Sequence, residues 1–384
     1  MAHSNTIMNQ ITKIVSRHEF EALAVKHHTG RKFRNFSRWS QFVAMTAAQL
    51  SSRVSLRDIT SNLRAQMKKL YHLGVTSISR TTLARVNDEK PYTLYEELFN
   101  KLLHRCQLMS PKHTFRFKNK LYSLDATVID LCLKVFPWAT FRKTKGALKL
   151  HIGLDHSGYL PTFVSVTEGS KHEIAWAKAL QLPRGSFCVF DKAFTDYDWF
   201  GTLVKKGIFF ITRQKINAQY RIIERHKANR SQGILCDQTI LLTGQKSDLC
   251  SCPLRRIRYR DKENGKDYVY ITNAIHVSAR TVANIYKERW QIELFFKWIK
   301  QNLKIKSFLG TSKNAVLTQI WIAICVYLIL CWIKFQNKIA LSLQQMLRLL
   351  QLNLFERRDI LKLLRGDPEK PPSVPDYQLA LPLS

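Results

Sequence analysis

Four residues in the last third of the chain, Tyr286, Arg289, Glu293 and Lys300, follow one another at spacings of three, four and seven. On a helix of 3.6 residues per turn, with Tyr286 at zero, the other three fall at about 300°, 340° and 320°. A carboxylate and two cations therefore share one narrow stripe. Ile285, Ile292, Leu294, Phe295, Phe296, Trp298 and Ile299 fill most of the remaining circumference. The helix is expected to pack against protein on most sides and to expose a single charged line. An ordinary i,i+4 pair of Arg289 and Glu293, worth roughly 0.3 kcal/mol, would explain part of the pattern. The chemical reading is a metal-binding carboxylate held between phosphate-binding cations, and it requires partner acids elsewhere.

Two aspartates suit that role. The run LYSLDATVIDLCL alternates with period two, so Ser123, Asp125 and Thr127 share the polar face of a strand. The run SFCVFD, from Ser186 to Asp191, is apolar and ends in an acid, as expected of a central parallel strand whose C-terminal edge opens on a site. Three carboxylates brought together repel one another and are tolerated chiefly around a divalent cation. An all-oxygen ligand set points to Mg²⁺, with Mn²⁺ as its substitute. Two such ions, about 3.5 to 4 Å apart, activate a water or a 3′-hydroxyl for in-line displacement at phosphorus. The reaction class is phosphodiester hydrolysis or transfer, with Asp125, Asp191 and Glu293 as catalytic and metal-binding residues. Among rival acids, Asp130 lies on the opposite strand face, Asp155 reads as a turn residue, and Asp196 and Asp198 belong to a helix start, where acids favour the dipole.

The elements that must position these residues follow from periodicity. After the LYSLDATVIDLCL strand come LKLHIGLD and LPTFVSVTEG, joined by the HSGY turn as an antiparallel hairpin. HEIAWAKALQL reads as a helix, SFCVFD as a strand, TDYDWFGTLVKKG as a helix capped by Thr195, and IFFITRQK as a strand. The order β β β α β α β, with a later helix from about Ala279, is that of the ribonuclease H fold. Short strand-like pieces between 214 and 272 interrupt it and predict an inserted β-rich subdomain.

Residues 1 to 115 read as a helical domain. Within it ISRTTLARVNDEKP places Ser79 as a helix cap, and the helix bearing Arg80, Thr82 and Arg85 follows a turn containing Gly74. Helix, turn and short helix are compatible with a helix-turn-helix reader of DNA, and equally with a plain bundle. The run HHTGRKFRNFSRW sets Arg31, Lys32 and Arg34 among aromatics, a composition suited to phosphate contact and stacking or to a solvated basic loop. Residues 116 to 335 are expected to form the ribonuclease-H-like catalytic domain, and 336 to 384 a helical region with a proline-rich tail.

Composition narrows the partner. The 384 residues carry 61 Lys and Arg against 28 Asp and Glu, a net charge of +33. Such an excess fits a polyanion, most economically a nucleic acid. The start MAHSNTIMNQITKIV has no apolar signal core. Eight cysteines lack CxxC pairs or a regular framework and read as reduced thiols of a cytoplasmic, nucleoid-associated protein. Cys250 and Cys252 with His226 or His276 match no standard zinc spacing. Ala315 to Ile333 is uncharged and long enough to span a bilayer, but Thr318 and Gln319 and the basic context favour a buried core helix and no membrane.

At this point the chain resembles a known family. Tyr286, Arg289, Glu293 and Lys300 spell Y-x2-R-x3-E-x6-K, the YREK signature of bacterial DDE transposases of the insertion-sequence-four family. The LDATVI strand, KGALKLH and FKWIKQNLKIKSFLGTSKNAV are also similar to that family, over roughly residues 25 to 335. The resemblance implies a DDE triad of Asp125, Asp191 and Glu293, phosphate contacts from Tyr286, Arg289 and Lys300, and an inserted β region at 214 to 272. It also implies binding of terminal inverted repeats and target DNA, strand transfer, and a homodimer on DNA. Two departures stand out. Lys192-Ala193-Phe194 replaces the family's Arg-Gly-aromatic, which keeps the charge and loses a bidentate fork. No Trp lies between Trp199 and Trp290, where family members place one to receive a flipped base, leaving Tyr220, Tyr259, Tyr268 or Tyr270 to stack instead. A nuclease without strand transfer, a DNA-binding derivative without catalysis, and a membrane-anchored cationic protein are the competing readings.

Overall fold

A computed structural model describes residues 5–31, 36–142 and 145–366. The chain opens with seven helices: α1 (Ile7–Thr12), α2 (Arg17–Lys26), α3 (Arg38–Leu50), α4 (Leu56–Ala65), α5 (Met67–Leu70), α6 (Arg80–Glu89) and α7 (Thr93–Met109). Four of them begin alike. Ser16, Ser37, Ser55 and Ser79 each accept a hydrogen bond from the backbone N–H three residues on, which satisfies one orphan donor of the first turn. Phe20, Trp39, Phe42 and Tyr95 from α2, α3 and α7 form an aromatic cluster with ring centroids 5.2 to 6.4 Å apart.

Ten strands follow, forming one sheet: β1 (Leu121–Leu131), β2 (Thr140–Arg142), β3 (Lys145–Asp155), β4 (Leu160–Glu168), β5 (Phe187–Phe190), β6 (Phe209–Arg213), β7 (Gln219–Arg225), β8 (Ile234–Thr243), β9 (Leu254–Arg260) and β10 (Asp267–Thr272). The helices α8 (Glu173–Ala179) and α9 (Tyr197–Lys205) separate β4, β5 and β6. The spatial order runs β4-β3-β1-β5-β6-β10-β9-β8-β7, and β2 pairs with the first residues of β3. Strand β3 is antiparallel to both of its neighbours β4 and β1, whereas β1, β5 and β6 are parallel. The meander and the two crossovers expected from the sequence are therefore present.

The strands between 214 and 272 differ from expectation: they extend the same sheet. β10 pairs antiparallel with β6, and β9, β8 and β7 continue outward. Pairing β10 onto β6 satisfies the backbone groups of what would otherwise be an exposed edge. A second difference concerns α9, whose cap is Asp196, accepting from Trp199 N at 2.8 Å. Thr195 instead closes the short turn before it by donating to Lys192 O.

After the sheet come α10 (Ala279–Glu288), α11 (Trp290–Asn302), α12 (Lys313–Gln336), α13 (Leu343–Asn353) and α14 (Ile360–Arg365). α12 is the one described helix long and apolar enough to cross a membrane, and 94% of its apolar stretch is buried in the protein. It packs against α3, α6, α7 and α13. One buried apolar cluster runs from α1–α7 through the outer part of β1 and β3 to α11–α14, so the helical segment and the sheet share a core. The expected proline-rich tail after Gly366 lies outside the described residues.

Candidate active site

Period-two alternation sorts β1 between two faces. Tyr122 and Leu124 pack into the cluster beneath α8 and α9, while Leu121, Ile129 and Leu131 pack on the other side. β5 and β6 sort the same way, with Cys188, Phe190 and Phe210 on the α9 side and Phe187, Val189 and Ile211 on the α10 side. Leu124, Phe190 and Thr212 are the last registered row across these parallel strands. The next row is Asp125, Asp191 and Arg213, at the C-terminal ends of β5 and β6 and on the α10–α11 face. Neighbouring strands lie about 4.8 Å apart, which sets the scale of the site.

Each member of the row is fixed by local bonds. Asp125 accepts from its following backbone N–H, at Ala126, at 2.8 Å. Asp191 caps the 192–194 turn by accepting from Ala193 N at 3.1 Å, and takes a second bond from Arg213 Nη2 at 3.1 Å. No feature of the 209–216 segment singles out Arg213; its place one residue past the shared register of β1, β5 and β6 is set by the assembled sheet.

The helix carrying the fourfold stripe is broken at Arg289. The Arg289 N–H turns back to Tyr286 O and Ile292 N to Arg289 O, three-residue steps that tighten the chain between α10 and α11. The stripe departs from expectation at its first two members. Tyr286 and Arg289 are buried and Glu293 and Lys300 half-buried, whereas Trp290 and Leu294 are 56% and 43% exposed. Charge pairing explains the burial of Arg289. Arg289 donates from Nη1 to Asp125 Oδ2 at 3.2 Å and from Nη2 to Glu293 Oε1 at 2.6 Å, so its guanidinium is neutralised where it is buried. Lys300 donates to Thr127 Oγ1 at 2.5 Å and Val128 O at 2.9 Å, pinning α11 to β1. The Tyr286 ring lies between the two guanidiniums, 6.0 Å from Arg213 Cζ and 5.9 Å from Arg289 Cζ.

Several polar atoms here are buried without a partner: Tyr286 Oη, Arg289 Nε and Arg213 Nε. Buried donors without partners suit a multiply charged oxyanion such as phosphate. Burial, the largest influence, pushes the Asp125 carboxyl up to about 6; the Ala126 N–H and Arg289 pull it down and Glu293 pushes it up. Burial also holds the Lys300 amine below and the Tyr286 hydroxyl above their usual ranges.

The donor set is three carboxylates, the chemistry of a hard divalent cation. As arranged, Arg289 stands between Asp125 and Glu293 and Arg213 takes Asp191. Among the described residues no three acidic, histidine or cysteine side chains approach closely enough to hold an ion. A cation would therefore have to displace guanidinium from these carboxylates, exchanging one positive charge for another.

The other expected residues are scattered. Lys192 is exposed on the turn beside Asp191. Arg80 and Arg85 are exposed on α6, and Thr82 is drawn into the cap, receiving a bond from Ser79 Oγ at 2.8 Å. Arg31 is exposed, and Lys32 and Arg34 lie outside the described residues. Of the rival acids, Asp155 is fully buried on Lys120, Asp196 caps α9, Asp198 pairs with Lys178 and Asp130 is exposed. Cys250 and Cys252 lie 3.6 Å apart, while His226 bonds Thr239 and His276 packs on Phe187 and Phe209.

Residues 116–329 match the family model described as a transposase DDE domain, and residues 3–76 match a domain family of unknown function. A Sinorhizobium fredii protein named as transposase y4zB is 29% identical over 293 residues, 75% of this chain and 81% of that protein. A Geobacillus stearothermophilus protein named as the transposase of insertion sequence element IS5377 is 27% identical over 342 residues, 88% of this chain and 87% of that protein. A Synechocystis protein named as the transposase of insertion sequence element IS4SA is 22% identical over 310 residues, 79% of this chain and 86% of that protein. With more than half of its length matched, including every residue of the Asp125–Asp191–Glu293 site, the chain belongs to the transposase DDE domain family.

Proposed function

We propose that the chain is an insertion-sequence transposase of the YREK-bearing insertion-sequence-four family. It cleaves DNA at terminal inverted repeats and joins the 3′-hydroxyl ends to target DNA. The catalytic core is ribonuclease-H-like, spans 116–335 and carries a β extension at about 214–272; the helical region 1–115 binds the inverted repeats, and 336–384 is a C-terminal appendage. Synapsis of two ends calls for a homodimer on DNA in the cytoplasm.

Asp125, Asp191 and Glu293 are the residues that would hold divalent metal, two Mg²⁺ or Mn²⁺ ions. When bound, such ions supply Lewis-acid stabilisation of charge on the phosphate and acidify the attacking hydroxyl. The remaining chemistry belongs to side chains. Arg289 and Arg213, with the Tyr286 hydroxyl, offer donors to phosphate oxygens, Lys300 fixes α11 on β1, and Lys192 faces solvent where the DNA backbone would pass. Burial of this constellation strengthens each charge interaction relative to water. The observation that carries the proposal is the row of Asp125, Asp191 and Arg213, bridged through Arg289 to Glu293.

The test uses a supercoiled plasmid carrying the inverted repeats that flank the gene. Asp125→Asn, Asp191→Asn and Glu293→Gln should each lower cleavage by at least about 100-fold, the loss of several kcal/mol of transition-state stabilisation, while DNA binding stays near wild type. Wild-type cleavage in any of the three would refute the triad. Joining of pre-cut ends separates a transposase from a nuclease, and a wild type that binds but never cuts would favour the derivative without catalysis.

A further inference from the structure

α4 presents Arg57, Thr60, Ser61 and Arg64 at i, i+3, i+4 and i+7, one continuous face opposite its buried Ile59 and Leu63. That face lines a cleft of about 350 Å³ together with Ile78, Ser79 and Arg80 from the start of α6. Through Arg57 and Arg80 this cleft adjoins a larger one of about 650 Å³, closed at its far end by Phe308 and Leu309. Through Arg64, Ile78 and Ser79 it adjoins a third toward α5. The three adjoin as one groove, walled by cations and hydroxyls in its middle and largely by apolar side chains toward its ends.

Its arginines are uncommitted. Among the described residues no carboxylate pairs with Arg57, Arg64 or Arg80, although Arg53 close by is held by Asp58. All three are exposed. Two exposed guanidiniums spaced along the α4 face, interleaved with Ser and Thr, and a third at the start of α6 suit phosphate oxygens, which accept from either group. The expected reader, α6, contributes mainly its first turn, where the backbone N–H dipoles also favour an anion.

We infer that this groove is a sequence-independent track for the DNA backbone. The inference rests on the transposase reading and adds the residues that hold the duplex.

Binding of full-length protein to end DNA and to an unrelated duplex of equal length is measured between 50 and 200 mM salt. Arg57→Gln with Arg64→Gln should reduce the slope of log affinity against log salt by about 1.8, roughly 0.9 for each phosphate released. The wild-type advantage should then shrink about 12-fold across that fourfold range of salt, equally on both duplexes. Arg57→Lys with Arg64→Lys should retain the slope, and unchanged melting of both variants establishes that they fold. Phosphate ethylation should interfere with wild-type binding at discrete backbone positions, and no longer at those positions with the Gln variant. An unaltered slope in the folded Gln variant, or a loss confined to end DNA, would overturn the inference. A wild type that holds DNA through these arginines yet never cuts would instead sink the transposase reading and leave the groove standing.

Discussion

Arg289 governs the site at the scale of single residues. The residue is 9% exposed and its guanidinium is shared between Asp125 and Glu293, so it supplies the positive charge that lets two acids sit together. On the proposed function, a divalent cation would compete with this guanidinium for the same oxygens. Replacing Arg289 by Gln should therefore have opposite effects on two quantities. Affinity for Mg²⁺ in DNA-free protein, read by calorimetric titration, should rise several-fold, because the ion no longer displaces an ion pair worth roughly 1 to 2 kcal/mol. Cleavage should fall at least about 100-fold, because a charged phosphate donor is lost. Parallel loss of both would make Arg289 a scaffold for the carboxylates and no competitor.

At the scale of elements, α12 shows how one polar residue in an apolar helix organises the site. Gln319 is buried and its amide donates to Lys304 O and Ser307 O, while Leu309 N donates to its carbonyl at 2.9 Å. Gln49 accepts from Lys304 N at 2.7 Å. Two glutamines thus anchor the loop that leaves α11 and closes the groove at Phe308. Gln319→Leu would raise the hydropathy of α12 and yet strand two carbonyls and an N–H. Urea denaturation should register a loss of about 3 kcal/mol, with faster proteolysis between 303 and 311. Stability equal to or above wild type would show that water replaces the side chain without cost.

Across the whole molecule, buried histidines set the response to acid. His151, which bonds Thr167 and stacks on Trp176, and His156, which bonds Ser123, are each pushed down to about 4, burial being the largest cause. A folded-state value below the unfolded ~6.5 means that the neutral form folds. Its contribution is complete above pH 6.5 and is lost as pH falls through 4, up to roughly 3 kcal/mol for each histidine at ~1.4 kcal/mol per unit. Asp125 acts oppositely. Raised to about 6, it carries a burial penalty that is relieved as pH falls from 6 toward 4. In chelator, stability should thus drop by roughly 3 kcal/mol between pH 7 and pH 4, and Asp125→Asn should steepen the drop by removing the offset. A flat profile would contradict the burial of both histidines.

Much of this organisation is legible in local periodicity. Alternation in LYSLDATVIDLCL put Asp125 and Thr127 on one face, the apolar run before Asp191 marked a strand tip, and the 3.6-residue spacing aligned Tyr286, Arg289, Glu293 and Lys300. These patterns arise from backbone geometry within a few residues, and a linear chain records them. Arg213 was invisible because its place depends on the register of β6 against β5 and of β5 against β1. The inward turn of Arg289 was equally hidden, since it depends on which acid arrives from a strand 164 residues away. The extension of the sheet by β10 follows from the free edge of β6, which exists only once the core has assembled. Residue type and spacing determined which groups are available for chemistry; register, edge pairing and burial, all long-range, decided which of them meet.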